Sequence, residues 1–145
     1  MKRTRLEEEE CPVARALDAI GDWWSLLIIR DAFDGMTRFG QFQKSLDISR
    51  GILATRLKHL VSVGVLATTP VGGFKEYRLT EKGRKLFLVV VSLRQWGEDH
   101  CFRKGEKRSA LVETGSGRPI RRLELHAHDG DVLAPDATTV RKVAE

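Results

Sequence analysis

The apolar positions between residues 48 and 66 recur at the spacing of an amphipathic helix. The stripe predicted to be buried contains Leu53, Leu57, Leu60 and Val61. The opposite stripe contains the small or polar residues Gly51, Thr55, Lys58 and Ser62. Ser49 precedes this pattern as a helix N-cap does, and Gly64 follows it as a C-terminal stop does. The pattern predicts a helix whose outward face can approach another surface closely, although an ordinary amphipathic surface helix has the same pattern.

Two helices are predicted nearer the N-terminus. The first begins at Pro12, because proline suits the first turn of a helix, and it ends at Gly21. The second begins at Ser25 and ends before Gly35. Its continuous apolar segment, residues 26–29, predicts deep burial.

A short helix and a hairpin are predicted on either side of the helix that starts at Ser49. Thr37 is the predicted N-cap of the short helix, and Phe39 and Phe42 are its predicted inward residues. Beyond Gly64, two short strands around the Gly72-Gly73 pair predict a hairpin. The order helix, turn, helix, hairpin is that of the winged helix-turn-helix fold, which is mainly α with a small β component.

A long helix is predicted from Thr80 to about Arg103, with an apolar seam along it. Such a seam at the end of a small domain needs a cover. We therefore expect a homodimer formed through the N- and C-terminal helices, with packing inside the chain as the alternative. The predicted dimer interface residues are Val13, Leu17, Leu86, Val90, Leu93 and Trp96.

The chain changes character after residue 110, where turn signals separate short alternating segments as far as Val143. The predicted domains are a flexible charged arm (residues 1–10), a winged helix domain (residues 11–104) and a small β-strand appendage (residues 110–145).

The excess of positive charge lies in the middle of the chain. Residues 37–85 contain ten basic and three acidic side chains, whereas residues 1–36 contain five basic and eight acidic ones. A basic segment between acidic or near-neutral flanks is typical of a surface that binds a polyanion. We therefore expect double-stranded DNA as a partner.

Other classes of protein are disfavoured. The longest strongly apolar run, residues 86–91, is too short to span a bilayer, and the N-terminal residues contain no apolar signal core, so a cytoplasmic location is expected. Cys11 and Cys101 match no metal-ligand pattern. His126, His128 and Asp129 could hold a metal on a strand, but no further His cluster supports this, so we expect neither a metal nor a cofactor. Without a nucleophile constellation or a phosphate-binding loop, we do not expect an enzyme.

Several segments within residues 11–97 resemble the HxlR-type branch of the MarR-like winged helix transcription regulators. These segments are CPVARALDAIGDWWSLLIIRDAFDGMTRFGQFQKSL, ISRGILATRLKHLVSVGVL and YRLTEKGRKL. The resemblance implies a dimeric regulator that binds an inverted-repeat operator. The chain departs from the family pattern at Trp23, where a basic residue is usual, and in the wing, which reads TTPVGGFK instead of a Pro-rich loop with arginine.

The predicted DNA contacts lie on the helix that starts at Ser49, on the short helix before it and on the hairpin. We expect Arg50 to read a guanine, Thr55 to bond a base or a phosphate, and Lys58 to bind a phosphate. Arg56 and His59 are expected at the groove edges, with a structural salt bridge as the alternative for Arg56. The full predicted set is Thr37, Arg38, Gln41, Ser49, Arg50, Gly51, Thr55, Arg56, Lys58, His59, Lys75 and Arg78.

The predicted signal is an oxidant or a small molecule. Cys11 precedes a helix N-terminus with Arg15 one turn further on, an arrangement that favours a thiolate. The resemblance implies redox sensors with a cysteine at this position, so Cys11 is a candidate sensor, with a plain packed cysteine as the alternative. A small aromatic effector is the other candidate signal, and its predicted lining is Trp23, Trp24, Phe33 and Trp96, unless these residues are core. A winged helix that binds protein or RNA is the alternative function.

Overall fold

The computed structural model describes residues 6–144, which form a mainly helical chain with one two-stranded antiparallel sheet. The chain divides into two compact units between Val90 and Val91. The helices and strands, in chain order, are α1 (Pro12–Ile20), α2 (Trp23–Phe33), α3 (Phe39–Leu46), α4 (Arg50–Ser62), β1 (Leu66–Val71), β2 (Phe74–Leu79), α5 (Glu81–Arg84) and α6 (Phe87–His100). Single turns of 3-10 helix lie at Leu6–Glu8 and Pro135–Ala137.

Helices α1 and α2 meet at a tight junction. Pro12 occupies the first turn of α1, and the Gly21 N–H ends the helix by donating to the Leu17 carbonyl oxygen (2.7 Å). Asp22 then caps α2, because its carboxylate accepts hydrogen bonds from the Ser25 N–H (2.9 Å) and hydroxyl (2.6 Å). This cap lets α2 begin at Trp23, two residues before the predicted start.

Helix α3 begins one residue later than predicted. Arg38 is the N-cap residue, so the prediction of Thr37 was wrong. The Gln41 side-chain oxygen accepts from the backbone N–H groups of both Thr37 (2.9 Å) and Arg38 (3.0 Å). A glutamine reaching back from the first turn therefore does the capping that we had expected of a threonine hydroxyl.

The predicted helix after Ser49 is confirmed as α4. The Ser49 hydroxyl accepts from the Ile52 N–H (3.3 Å), and Gly64, with a φ of 79°, ends the segment in a left-handed conformation. The predicted apolar stripe faces the core of the first unit. The fully buried hydrophobic residues of that core include Ile28, Ile29, Phe42, Leu53, Leu57, Leu60 and Leu66.

The predicted hairpin is also confirmed, and the chain before α3 extends it. β1 and β2 pair in register from Leu66 opposite Leu79 to Val71 opposite Phe74. Residues 37–38 pair with β2 next to the hairpin. The Tyr77 N–H donates to the Thr37 carbonyl oxygen (2.7 Å), and Arg38 forms an antiparallel β-bridge with Glu76. This pairing holds the start of α3 against the hairpin.

The predicted single helix from Thr80 to about Arg103 is wrong, because it is divided into α5 and α6. The Thr80 hydroxyl caps α5 by accepting from the Gly83 N–H (3.0 Å), and it donates to the Gly64 carbonyl oxygen (2.5 Å). The Leu86 N–H bonds the Gly83 carbonyl oxygen three residues back (3.0 Å), so the helix tightens there before α6 starts. Anchoring at the base of the hairpin thus separates the two helices.

The second unit contains most of α6 and the segment that follows it. In place of strands, residues 101–144 form turns with two isolated bridges, Val112 with Pro119 and His126 with Val132, and the predicted strand over 138–143 is absent from this described segment. The buried amide of Gln95 donates to the Arg121 carbonyl oxygen (3.2 Å) and accepts from the Leu123 N–H (2.8 Å). At these two residues, a side chain of α6 bonds the backbone that a neighbouring strand would otherwise pair with.

Half of the predicted charged arm, residues 1–5, lies outside the described residues. Across residues 6–144, no helix has the length and apolar character needed to cross a membrane.

Candidate DNA-binding surface

The outward face of α4 carries exposed small and cationic residues. Arg50, Gly51, Thr55 and Lys58 are all exposed, opposite the buried leucines. The Thr55 hydroxyl donates to the Gly51 carbonyl oxygen (3.0 Å), so its lone pairs remain available to accept a hydrogen bond. A Cβ at Gly51 would meet no atom within 4 Å, which shows that the start of the face is open. The structure therefore brings together the residues that the helical pattern put on one side.

Arg50 links the beginnings of α3 and α4. Its guanidinium lies 5.1 Å from the centre of the Phe39 ring, the first residue of α3. An arginine stacked on an aromatic ring keeps donors free for other partners while losing part of its conformational freedom. Arg50 is thus both exposed and partly pre-positioned.

Two predicted contact residues of α4 have partners inside the chain instead. Arg56 Nε lies 3.4 Å from Asp22 Oδ1, which confirms the structural salt bridge that we considered as the alternative. His59 Nε2 lies 2.7 Å from the Ala19 carbonyl oxygen. Both side chains are half-buried and tie α4 to the α1–α2 junction. We therefore leave Arg56 and His59 out of the candidate surface.

The Arg56 pair depends on the ionised form of Asp22. Burial raises the pKa of Asp22, but the hydrogen bonds from Ser25 and the charge of Arg56 together outweigh burial and hold that pKa below its usual value. A lowered pKa in the folded state stabilises the fold above the ordinary Asp pKa, and this contribution is lost as the pH falls through the folded-state value. Asp22 is therefore ionised at neutral pH and faces Arg56 as an ion pair.

At the N-terminus of α3, the Arg38 side chain is more available for a contact with DNA than Thr37 or Gln41. Gln41 is exposed but uses its side-chain oxygen in the cap, and the Thr37 carbonyl accepts from the hairpin. Arg38 is exposed, and its guanidinium lies 5.0 Å from the centre of the Phe74 ring and 3.9 Å from Glu76 Oε1. Among the three predicted contacts on this segment, Arg38 is the one that places a charge at the surface.

The hairpin carries two further exposed cations, Lys75 and Arg78. Lys75 Nζ lies 5.9 Å from the centre of the Tyr77 ring, and Arg78 donates to Glu76 Oε2 (2.5 Å). Sequence reasoning missed Glu76 and Phe74. The period-2 alternation of β2 was the available signal, because it puts Phe74, Glu76 and Arg78 on one face of the strand.

We call the exposed residues Arg38, Arg50, Lys58 and Arg78 the cationic surface, whereas Lys75 lies on the opposite face of β2. Arg50 is connected to it through Phe39, and Arg38 and Arg78 share Glu76. Lys58 lies two turns along α4 from Arg50, about 12 Å away. An α-helix fits the major groove of DNA. Cations at its start and on an adjoining hairpin can therefore contact base edges and phosphates at the same time.

The predicted sensor and dimer residues fall into two groups. Cys11 is exposed and is the N-cap residue of α1, with no hydrogen bond from its side chain to the helix. Val13 and Leu17 on α1, and Leu93 and Trp96 on α6, are exposed. Leu86 and Val90 instead pack, half-buried, against the core of the first unit, so they are less available to a partner than predicted.

The predicted effector-pocket residues are also divided. Trp24 and Phe33 are half-buried and pack against the core of the first unit, as in the alternative reading. Trp23 and Trp96 are exposed, and the Trp23 ring meets Trp24 edge-on with centroids 5.9 Å apart. Within residues 6–144, no group of three or more His, Cys, Asp or Glu side chains is placed to hold a metal ion.

The fold is that of a winged helix-turn-helix protein, with α3 and α4 as the paired helices and the β1–β2 hairpin as the wing. The model of the HxlR-like helix-turn-helix family matches residues 19–105, more than half of the chain. The chain belongs to this family, as the sequence resemblance predicted.

Individual relatives agree with this assignment. An uncharacterised HTH-type transcriptional regulator of Mycobacterium bovis, Mb3122, is 47% identical over 94 residues, which are 63% of this chain and 60% of that protein. The chain thus spans less than two thirds of the length of this relative. The crystal structure of PA1607, a candidate transcription factor, is 52% identical with a TM-score of 0.93 and covers 97% of this chain and all of that one.

A second similar structure is that of a redox regulator. HypR in its oxidised form is 32% identical with a TM-score of 0.58, and the match covers 62% of this chain and 97% of HypR. HypR has also been solved in its reduced form, with the same identity and TM-score.

Proposed function

We propose that this chain regulates transcription by binding double-stranded DNA with sequence specificity. The observation that carries the proposal is the exposed face of α4, where Arg50, Thr55 and Lys58 stand around the open position Gly51. The absence of a Cβ at Gly51 lets the helix approach base edges, and Arg50 can bond the O6 and N7 atoms of a guanine. Arg38 and the wing cations supply phosphate contacts that fix the helix in the groove.

We further propose that two copies bind together to an inverted-repeat operator. Val13 and Leu17 on α1, and Leu93 and Trp96 on α6, are large apolar side chains left exposed. A second copy would remove them from water, as the closed symmetry of most soluble oligomers favours. In a dimer, two recognition helices about 34 Å apart would meet successive major grooves on one side of the duplex.

Selection of bound fragments from random duplex DNA tests this function. We expect recovery of a near-palindrome with half-sites one helical turn apart, because the two heads are related by two-fold symmetry. If a dimer makes about eight phosphate contacts, log affinity should fall with log salt concentration at a slope of about −7.

RNA of the same sequence as the selected fragment is the matched control and should bind weakly, since A-form RNA has a deep, narrow major groove that α4 cannot enter. Selection that yields no common sequence, or equal binding of the RNA, would contradict operator recognition.

We also propose that Cys11 senses oxidants, in line with the similarity to the redox regulator HypR. Cys11 is exposed at the start of α1, which carries part of the proposed dimer contact. A hydroperoxide would oxidise one Cys11 thiolate to a sulfenic acid, with release of an alcohol or water. The Cys11 thiolate of the second copy would then attack that sulfur and release water, which joins the copies by a disulfide.

The sensor proposal predicts that peroxide changes operator affinity by about tenfold in the wild-type protein, a size typical of coupling between sites. The Cys11→Ser variant should not respond, whereas Cys101→Ser should respond like the wild type. The measurements are operator titrations with and without peroxide, alongside non-reducing gels that detect the linked dimer. Identical responses of Cys11→Ser and the wild type would refute the proposal.

A further inference from the structure

Glu76 is a buried acid in the middle of the cationic surface. It lies in β2 and is only 7% exposed. Its carboxylate is shared by two arginines from different elements. Arg78 of β2 donates to Oε2 (2.5 Å), and Nε of Arg38, at the start of α3, lies 3.9 Å from Oε1. Glu76 is therefore placed to control two of the proposed phosphate contacts at once.

The surroundings of Arg38 show how strictly this position is defined. Its guanidinium lies between the Phe74 ring, 5.0 Å from the centroid, and the Glu76 carboxylate. The backbone of Arg38 is fixed as well, because it forms a β-bridge with the backbone of Glu76. The neighbouring Tyr77 N–H donates to the Thr37 carbonyl oxygen (2.7 Å). Strand β2 thus sets the backbone of Arg38, and Phe74 with Glu76 sets its charged end.

An acid at this position cannot increase the general attraction for DNA. Its charge offsets part of the field of the two arginines, which weakens binding to any phosphate backbone. A carboxylate with little access to water also costs free energy unless it is paired, so Arg38 and Arg78 are held where the pairing is satisfied. The first effect weakens binding to all DNA alike, and the second favours a duplex whose phosphates fit the fixed arginines.

We propose that Glu76 is a positioning residue for operator recognition, which orders Arg38 and Arg78 and thereby increases discrimination between the operator and other DNA. This proposal rests on the proposed DNA-binding function. It assigns to Glu76 no contact with DNA. Glu76 acts through the two arginines, because their side chains would become mobile if the carboxylate charge were lost.

The Glu76→Gln variant tests this proposal, because it keeps the size of the side chain and removes the charge. We expect binding to a scrambled duplex to tighten about twofold, with a salt slope steeper by up to about one unit, since one opposing charge is gone. Binding to the selected operator should weaken, so that the ratio of the two dissociation constants falls about tenfold. The protein is titrated with both duplexes at three salt concentrations.

The matched control is Glu81→Gln, which removes the same charge from an exposed position at the start of α5. It should leave the ratio of dissociation constants within about twofold of the wild type, because no arginine of the cationic surface depends on it. Thermal unfolding of each variant separates a loss of folded protein, which would weaken both duplexes equally, from a loss of discrimination.

Glu76→Asp gives a second test if Glu76→Gln does not fold. It keeps the charge but shortens the side chain by one methylene, so it cannot reach both arginines, and the ratio should fall by about threefold. Normal operator binding by the wild type, with an unchanged ratio in Glu76→Gln or Glu76→Asp, would overturn this inference alone. Failure of the wild-type protein to select any operator would overturn the proposed function and this inference together.

Discussion

Replacing Gly83 by alanine is expected to lower the free energy of unfolding by about 3 kcal/mol. A Cβ at this position would lie 2.2 Å from the Val65 carbonyl oxygen and 3.1 Å from Leu79 Cδ2. The carbonyl cannot move away easily, because it accepts from the Thr80 N–H (3.1 Å). The added methyl group must therefore push α5 from the base of the wing.

The Gly97→Ala variant is the matched control in the stability experiment. Gly97 lies within α6, and a Cβ there would meet no atom within 4 Å. Alanine should raise the free energy of unfolding by about 0.5–1 kcal/mol, because it restricts the unfolded chain and favours the helix. Urea unfolding followed by circular dichroism measures both variants. A Gly83→Ala protein within about 0.5 kcal/mol of the wild type would show that α5 can shift without cost.

Helix α4 could be predicted from the sequence because its signals are local. The apolar spacing selects the buried face, and Ser49 and Gly64 define the ends by hydrogen bonding and backbone conformation within a few residues. The hairpin could be predicted for the same reason, since the Gly72-Gly73 pair marks a tight turn between two short strands. In both cases the deciding interactions lie within the segment itself.

The features that were missed depend on contacts between segments far apart in the chain. The division between α5 and α6 follows from Thr80 and Gly83 meeting the chain at Gly64 and Val65, which no local pattern reveals. After residue 110, where strands were predicted, the backbone at Arg121 and Leu123 bonds the Gln95 side chain instead of a neighbouring strand. A hydrophobic pattern describes which side of an element is buried, but it does not identify the partner.

The candidate surface shows the same limit at the level of single side chains. Arg56 and Lys58 are equally basic in the sequence, yet Arg56 pairs with Asp22 while Lys58 is exposed. His59 meets the Ala19 carbonyl oxygen forty residues away. Helical projection could place Gly51, Thr55 and Lys58 correctly, since they lie opposite the core. It could not assign residues at the border of the two faces, where tertiary partners decide.

Arg50 is the residue of the candidate surface whose loss should reduce operator binding most. Replacing it by alanine is expected to weaken operator binding by about 1–3 kcal/mol, or about 5- to 150-fold, because a bidentate contact to a guanine is lost. Binding to a scrambled duplex should weaken only severalfold, since one phosphate-attracting charge is removed. Titration of both duplexes at fixed salt measures the two effects, and repeating the selection should show relaxed preference at one base pair in each half-site.

Two further variants separate base reading from charge. Arg50→Lys keeps the positive charge but lacks the planar pair of donors, so it should lose most of the operator preference while retaining the salt slope of the wild type. Lys44→Ala removes a charge from the last turn of α3, at the opposite end of that helix from Arg38, and should change both duplexes alike. If Arg50→Lys bound the operator as tightly as the wild type, Arg50 would act as a phosphate contact, and base recognition would have to come from other positions on the face of α4, such as Thr55.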